Sequence, residues 1–452
     1  MEDYLYSKYN IPVPRYTSYP TVPFWNDDFN AKVSWPQLVG NAFEIMDKEE
    51  GISLYLHLPF CEKLCTYCGC NKRITTNHGV EKTYIDYLLK EWDMYLNAFR
   101  GRPVIKELHL GGGTPTFFSP ANLKDLITRL LSPVTVSQNK EFGFEGHPNN
   151  TTREHLDVLF ELGFRRVSFG VQDFDPIVQK AINRIQPYES VEKAVLNARE
   201  SGYQWVNFDL IYGLPFQNQD SILQTMDYMK VLKPERIAFY SYAHVPWKAK
   251  GQRGYSDDDL PSDTFKRGLY ELGRKQLLAM GYKEIGMDHF ALPEDELFKA
   301  YANGKLNRNF MGYTTTNTDM LIGIGVSSIS DISSAYAQNE KKLTDYYDRL
   351  DKDELPITKG VVVTQTNASI RETITHLLCN GSVHISNETK SNMTAEQWDT
   401  LRNIEEDGLI ELSDEQVLIT VKGKPYIRTI CAVFDPTVDI TINQKGLFST
   451  SI

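Results

Sequence analysis

Ile52-Ser53-Leu54-Tyr55-Leu56-His57-Leu58-Pro59-Phe60-Cys61-Glu62-Lys63-Leu64-Cys65-Thr66-Tyr67-Cys68-Gly69-Cys70 is the stretch from which the rest of the chain can be read. Its first seven residues are mostly apolar and β-prone, and Pro59 stops them, so a strand is predicted over 52–58. Four cysteines follow within ten residues, three of them spaced C-x3-C-x2-C at Cys61, Cys65 and Cys68, while Cys379 and Cys431 stand alone. In a reducing compartment so tight a group reads as a metal or redox site rather than a disulfide framework.

Three thiolates on one loop can bind three irons of a [4Fe–4S] cluster. The fourth iron then lacks a local protein ligand, and an open metal position is where substrate chemistry occurs. Zinc is the alternative. It needs a fourth ligand, for which Cys70, His57 and His78 are at hand, but C-x3-C-x2-C is not a usual zinc spacing. Cys70, one glycine beyond Cys68, would wrap awkwardly around the same cluster and is left as a nearby thiol of unknown role.

Outward from this stretch, strands are predicted at 107–110, 141–145, 166–171, 205–211 and 237–240. Helices are predicted at 80–99, 120–131, 153–162, 176–183, 190–201 and 220–232. Strands separated by helices imply an α/β fold of parallel βα units, a partial or full βα barrel. A doubly wound sheet is the alternative that the pattern leaves open. In a barrel the active site lies at the C-terminal ends of the strands, where the cysteine loop falls. Three zones are expected: an N-terminal arm over 1–50, a barrel catalytic domain with an extension over 51–350, and a smaller C-terminal domain over 360–452. The arm reads as an ordered loop around Pro14-Arg15-Tyr16-Thr17-Ser18-Tyr19-Pro20 that leads to a helix. The segment 257–310 reads as mostly helical, and the Gly- and Ser-rich 321–330 as a return to the active-site side. Helices at 370–379 and 394–407 before a strand pair at 408–412 and 417–421 make the last zone mainly helical and winged-helix-like.

With 41% hydrophobic and 12% aromatic residues in 452, a sizeable core is available. A net charge of -11 and a pI near 5.4 argue against a nucleic-acid partner, which needs a basic surface. Local basic pockets for an acidic small molecule are compatible with that balance. The first nine residues carry Glu2 and Asp3 and no apolar run, so no signal peptide is read there. No stretch approaches the roughly 20 apolar residues of a membrane span. A soluble cytoplasmic protein without a membrane partner is expected.

Further candidates lie on the predicted strand ends. Gly111, Gly112 and Gly113 precede Thr114 and Pro115 after the second strand, where glycine lets backbone N–H groups approach a ligand. Glu145 ends the third strand and Asp209 lies in the fifth. Gln172 and Arg184 fit the same rim. Arg184 could hold a carboxylate as a bidentate fork, or could equally be a solvated helix-end charge.

The cysteine spacing, with Tyr67 before the last cysteine, resembles the radical S-adenosylmethionine (SAM) superfamily, and the glycine segment resembles its cofactor-holding GGE-like segment. The likeness extends to Tyr55-Leu56-His57-Leu58-Pro59-Phe60-Cys61, Cys68-Gly69-Cys70-Asn71-Lys72, Gly170-Val171-Gln172-Asp173-Phe174 and Asp209-Leu210-Ile211-Tyr212-Gly213-Leu214-Pro215. Tyr242-Ala243-His244-Val245-Pro246, Gly286-Met287-Asp288-His289-Phe290, Gly312-Tyr313-Thr314-Thr315 and Gly325-Val326-Ser327-Ser328-Ile329-Ser330 continue it. With the arm and Tyr426-Ile427-Arg428-Thr429-Ile430-Cys431, nearly the whole chain resembles the oxygen-independent coproporphyrinogen III oxidases.

That resemblance implies oxidative decarboxylation of two propionates of coproporphyrinogen III to vinyl groups, giving protoporphyrinogen IX in anaerobic haem biosynthesis. It implies a [4Fe–4S] cluster on Cys61, Cys65 and Cys68, and two SAM molecules. The first would meet Tyr55, Gly112, Glu145 and Ile329. The second would meet Tyr67, Gly113, Thr114, Gln172, Arg184, Asp209 and Ala243. Tyr55, His57 and Arg184 are put forward as catalytic. Arg15 and Arg308 are candidates for the substrate carboxylates. A reducing donor such as flavodoxin or ferredoxin and a monomeric state are expected. Two positions depart from the family: His147, where Asp is common, and Met311, where Gln precedes the Gly-Tyr-Thr-Thr segment. Rival readings are a haem chaperone or a haem-degrading methyltransferase of the same superfamily. Such chaperones generally lack the arm and usually carry Phe where Cys70 stands. A zinc-dependent DNA-binding regulator is a third, disfavoured by the acidic composition.

Overall fold

The structure, a computed structural model, describes residues 2–246, 250–439 and 448–450. The outermost parts of the arm and C-terminal zones, Met1, 440–447 and 451–452, lie outside the described residues. Contacts divide the chain into two compact units: Asn26–Tyr282 with Thr318–Val362, and Met1–Trp25 with Lys283–Asn317 and Val363–Ile452.

In the larger unit β1 (Ile52–Leu58), β2 (Val104–Gly112), β3 (Thr135–Gly146), β4 (Arg166–Gln172), β5 (Trp205–Tyr212) and β6 (Arg236–Ser241) pair in parallel in that order. The helices between them are α1 (Val80–Ala98), α2 (Pro120–Leu131), α3 (Arg153–Glu161), α4 (Pro176–Ala181), α5 (Tyr188–Glu200) and α6 (Gln219–Leu232). Strand order never reverses. Right-handed crossovers in one direction put every helix on the same face, which removes the doubly wound alternative. On its other side β1 pairs in parallel with β7 (Leu321–Ile324), and β8 (Ile329–Asp331), β9 (Ala335–Asn339) and β10 (Ile357–Val362) extend the sheet antiparallel. The result is a partial barrel, open rather than closed β6-to-β1.

The strands alternate as a one-sided sheet requires. Leu54, Leu56 and Leu58 of β1 are fully buried, as are Leu108 and Leu110 of β2, Phe144 of β3, Val167 and Phe169 of β4, and Val206 and Phe208 of β5. Burying each such side chain contributes about 1.5–3 kcal/mol. Between them stand Tyr55, His57, His109, Glu145, Ser168, Asn207 and Asp209, brought level by the register pairs Tyr55↔His109, Glu145↔Ser168 and Ser168↔Asn207. Helix starts are encoded locally. Asn218 caps α6 by accepting from the Ser221 N–H at 3.0 Å, and the Ser221 hydroxyl lies 3.1 Å from the Asn218 N–H.

The division differs from the three expected zones. Leu5, Tyr9, Val13, Tyr16 and Tyr19 of the arm are buried in one cluster with Ile374, Leu377, Leu401, Ile430 and Val433. The arm is thus core of the smaller unit, whereas Trp35–Ile45 of the same expected zone belongs to the larger one. The segment 257–310 is only partly helical: after Asp263–Ala279 come the antiparallel strands Lys283–Gly286 and His289–Ala291, then Glu296–Ala302. Expected helices and strand pair do form at Gln365–Asn380, Ala395–Glu406, Ile410–Leu412 and Gln416–Ile419. They are joined by a strand at Ser382–His384 and a short helix at Asn387–Asn392.

Candidate active site

Pro59 ends β1 and the chain turns out into the cysteine loop. Its neck is closed where Phe60–Cys61 pairs with Arg73–Ile74, the Arg73 N–H donating to the Pro59 carbonyl at 2.7 Å and the Thr75 N–H to the Cys61 carbonyl at 2.9 Å. The far side docks on the turn after α4. Thr66 N–H donates to the Ile182 carbonyl at 3.0 Å and Asn183 Nδ2 to the Leu64 carbonyl at 2.7 Å. Two donors already aim at sulfur: Thr114 Oγ1 lies 3.4 Å from Cys61 Sγ and Arg184 Nη1 3.4 Å from Cys65 Sγ. Burial pushes the Cys61 thiol up to about 11. The hydrogen bond from Cys70 pulls the Cys68 thiol below its ordinary range, against burial and with help from Lys72 and Arg184. Cys61, Cys65 and Cys68 are all partly exposed, as a loop that receives a cluster requires.

The glycine segment packs under this loop. Gly112 has φ +110°, and a Cβ there would lie 2.7 Å from the His57 ring. A Cβ on Gly113 would meet the Pro59 carbonyl at 2.6 Å. The expectation that these amides face a ligand is corrected here. Gly113 N–H donates to the Leu58 carbonyl at 2.8 Å, Thr114 N–H to Phe60 at 3.0 Å and Gly112 N–H to Glu145 Oε2 at 3.3 Å. The Gly113 and Thr114 amides hold the end of β1 and the start of the cysteine loop, the Gly112 amide holds Glu145, and close backbone approach is why glycine is needed.

Tyr55 and His57 point to the inner face. His57 Nε2 lies 2.8 Å from the Asn71 carbonyl, which only accepts, so Nε2 carries the proton. Nδ1 then accepts from the Tyr55 hydroxyl at 3.1 Å. Burial holds the His57 ring below its ordinary pKa, keeping it neutral. Tyr55 stacks on His109 with centroids 6.2 Å apart, and His109 Nε2 lies 3.5 Å from Glu145 Oε1. Asp209 is raised to about 7 by burial and by the Glu145 charge, against the pull of Arg184 and His109. Arg184 donates from Nη2 to the Gly170 carbonyl at 2.5 Å, and its buried Nε has no partner. Gln172 has φ +68°, and a Cβ on Gly170 would meet its Nε2 at 2.7 Å and Arg184 Nη2 at 2.9 Å.

Ala243 follows β6. Gln252 ties it to the cysteine loop, its Nε2 lying 3.1 Å from the Ala243 carbonyl and 3.2 Å from that of Tyr67. Tyr67 packs on Val178, Ile182, Ile211, Leu214 and Tyr242. Ile329 opens β8 with its carbonyl against Gly323, which has no room for a Cβ. The sequence-derived cluster and SAM residues thus belong to the larger unit, whereas Arg15 and Arg308, the candidates for substrate carboxylates, belong to the smaller one. His109 and Gln252 were missed. His109 is legible as a polar residue between Leu108 and Leu110, whereas nothing in the sequence marks Gln252.

Residues 55–229 match the Radical SAM superfamily. Over 95% of the chain and 95% of the relative's length, the sequence is 39% identical to an oxygen-independent coproporphyrinogen III oxidase of Pseudomonas aeruginosa. The oxygen-independent coproporphyrinogen III oxidase of Escherichia coli is 38% identical, with coverage of 95% and 94%. The chain belongs to the oxygen-independent coproporphyrinogen III oxidase family.

A solved coproporphyrinogen III oxidase from Escherichia coli, a radical SAM enzyme, superposes with a TM-score of 0.88 at 36% identity, covering 95% of this chain and all of that one. The oxidase family's fold therefore extends through both units. Within the larger unit, the departure at His147 sits beside Arg184 and Lys63, and burial first, then those two charges, hold it near pKa 3. It is a neutral ring whose Nδ1 accepts from the Asn149 N–H at 3.1 Å. Within the smaller unit, Arg15 is paired with Asp288, whereas Arg308 lies over the Tyr313 ring at 4.7 Å with its buried Nε unpartnered. Met311 caps a turn through its N–H to Asn309 Oδ1 at 2.9 Å.

Proposed function

We propose that the chain performs the reaction for which its family is named, the oxygen-independent oxidation of coproporphyrinogen III. Two propionate side chains become vinyl groups, and the product is protoporphyrinogen IX. Each propionate loses one hydrogen atom to the abstracting carbon radical, its carboxyl group as CO2, and one electron to a one-electron acceptor supplied from outside this chain. The observation that carries this reading is full-length likeness to the oxidases joined to a half-barrel whose inner face gathers three cysteines, a buried arginine and two carboxylates.

The residues fit the cofactors. Three partly exposed thiols stand on a loop closed at its neck, and two already receive donors, as thiolate ligands require. The unpartnered Arg184 Nε is a buried donor suited to a carboxylate. Cys61, Cys65 and Cys68 would hold the [4Fe–4S] cluster. Together the cluster and SAM, when bound, supply a carbon radical able to take an unactivated hydrogen from a propionate β-carbon.

The protein's part is positioning. With the amides at 112–114 engaged, Gly112 and Gly113 offer carbonyl oxygens, which suit the amino group of SAM. Tyr55, Gly112, Glu145 and Ile329 would meet one SAM. Tyr67, Gly113, Thr114, Gln172, Arg184, Asp209 and Ala243 would meet a second. Tyr55 and the neutral His57 keep the inner face at β1 rigid and uncharged beside the reacting centre. Arg308, whose charge is less engaged than that of Arg15, is the better candidate for a substrate carboxylate. An electron donor such as flavodoxin or ferredoxin, a monomeric state and a cytoplasmic location complete the reading. Among the described residues no helix is long and apolar enough to cross a membrane.

The test is anaerobic purification, cluster reconstitution and incubation with reductant, SAM and coproporphyrinogen III, with tetrapyrroles followed by mass. Stepwise loss of two carboxyl groups with release of 5′-deoxyadenosine is expected. SAM cleavage with an unchanged tetrapyrrole would overturn the substrate assignment.

A further inference from the structure

We propose that Glu91, on the outer helix α1, is a positioning residue that sets the cofactor-facing edge of the half-barrel by holding the 325–329 turn against the end of β1. This inference rests on the reading that Tyr55 and Ile329 meet SAM.

Glu91 is fully buried. Its carboxylate collects donors from three separate elements. Gly325 N–H reaches Oε2 at 2.8 Å, the Tyr346 hydroxyl on the helix Leu343–Asp351 reaches Oε2 at 2.6 Å, and Asn339 Nδ2 of β9 reaches Oε1 at 2.7 Å. Here α7 is Asp263–Ala279 and α8 is Leu343–Asp351. Asn339 continues the network into the turn, donating to the Gly325 carbonyl at 2.8 Å and to Ser328 Oγ at 3.0 Å. Its own N–H donates to the Ser328 carbonyl at 2.9 Å. The network thus fixes Gly325 and Ser328, the two ends of the turn, and Ile329 follows directly.

The same helix fixes the other wall. Tyr84 lies seven residues before Glu91, two turns along α1 on the same face. Its hydroxyl donates to the His57 carbonyl at 2.7 Å and accepts from the Val326 N–H at 3.1 Å. A Cβ on Gly325, at φ +100°, would lie 2.6 Å from that hydroxyl and 2.7 Å from the His57 carbonyl. Helix α1 thus grips both segments at once: the strand end bearing Tyr55 and His57, and the turn leading to Ile329.

The chemistry of the group selects a carboxylate. Burial pushes the Glu91 carboxyl up to about 7 and its donors pull it back; once ionised it accepts at both oxygens and donates at neither, which matches the donors of Gly325, Tyr346 and Asn339. A glutamine would set an NH2 against one of them. Burying an ionisable group costs several kcal/mol unless it is fully hydrogen-bonded, and a core leucine would pack α1 without that cost. The carboxylate is explained by the turn it holds.

The experiment uses the full chain, reconstituted anaerobically, as wild type, Glu91→Gln and Tyr346→Phe. Iron and sulfide content, thermal unfolding and the dissociation constant for SAM, read from the change in the reduced-cluster EPR spectrum, are measured together. Glu91→Gln is expected to keep its iron and sulfide and to weaken SAM binding by about 10-fold, the size of one lost buried hydrogen bond. Tyr346→Phe, which leaves the carboxylate and two donors in place, is expected to weaken it by a smaller factor and guards against a Glu91→Gln chain that does not fold. Wild-type SAM affinity in a folded, cluster-loaded variant would overturn the inference. Loss of iron and sulfide in both variants would also overturn it, because the assigned role begins after cluster loading. A wild-type protein that loads its cluster and binds no SAM would instead overturn the functional reading, and the inference with it.

Discussion

Gly112 shows how a single residue can shape the site through its backbone alone. Its left-handed φ of +110° and the 2.7 Å separation between a Cβ and the His57 ring leave no space for any side chain. Gly112→Ala should cost at least about 1–3 kcal/mol in backbone strain alone and push the His57 ring off Asn71. Iron incorporation on reconstitution should fall several-fold while far-UV circular dichroism stays native; normal iron content would show that the loop tolerates the displacement. Asp209 makes a pH prediction. Its carboxyl titrates near 7 in the folded chain, raised from 3.8 by burial first and by Glu145 next. A raised carboxyl pKa means that the folded chain binds the extra proton between those values. The stabilising contribution is complete below about pH 4 and is lost as pH rises through about 7, by at most about 4 kcal/mol. Urea unfolding of cluster-free protein at pH 5 and pH 8 should therefore show a smaller difference in Asp209→Asn than in wild type.

At the scale of elements, the alternation within strands decides what the half-barrel does. Leucine, valine and phenylalanine face the helices, and the residues between them become the inner face. Each βα unit also needs its helix to start at the right place. Asn218 and Ser221 form a reciprocal cap at the start of α6, just after β5 and the 213–217 turn. Removing it with Asn218→Ala should cost about 1 kcal/mol and lower the midpoint of thermal unfolding by about 2 °C. Differential scanning calorimetry would read it, and an unchanged midpoint would mean that tertiary packing alone sets this helix start. The strands, the helices between them and the cysteine loop were all legible in the sequence, because alternation, proline stops and cysteine spacing are local. The segment 257–310 was misread because short strands such as Lys283–Gly286 carry too few residues to show a period.

In the smaller unit a buried arginine joins segments that are far apart in sequence. Arg428 donates to the Pro14 carbonyl from Nε at 3.1 Å, to Thr450 from Nη1 at 2.7 Å, to Ser449 from Nη2 at 3.2 Å and to Val13. Burial pulls its pKa down to about 9. Arg428→Met should strip these carbonyls of their donor at about 1–3 kcal/mol each. Trypsin cleavage after Lys8 or Arg15 should then accelerate by about 10-fold or more, since cleavage tracks the population of the opened arm. Mass analysis of the fragments checks this; wild-type cleavage rates would show that the apolar cluster around Tyr16 holds the arm unaided.

Local residue order by itself determined the parallel βα rhythm, the three-cysteine loop at the end of β1, and the strand-end candidates Gly112, Gly113, Glu145, Gln172, Arg184 and Asp209, while Tyr55 and Ile329 entered through resemblance to the family. Those features depend on neighbours a few positions apart, and their spacing is visible in one chain. Tertiary structure decided the open half-barrel over the doubly wound sheet, because strand order is set by which strand edges meet. It decided that the amides of Gly112, Gly113 and Thr114 are spent on Glu145, the end of β1 and the start of the cysteine loop. It placed Leu5, Tyr9 and Val13 in a core with residues beyond 370. It also gave Glu91 a purpose, since three donors from β9, α8 and the turn after β7 converge on it only once the chain has folded.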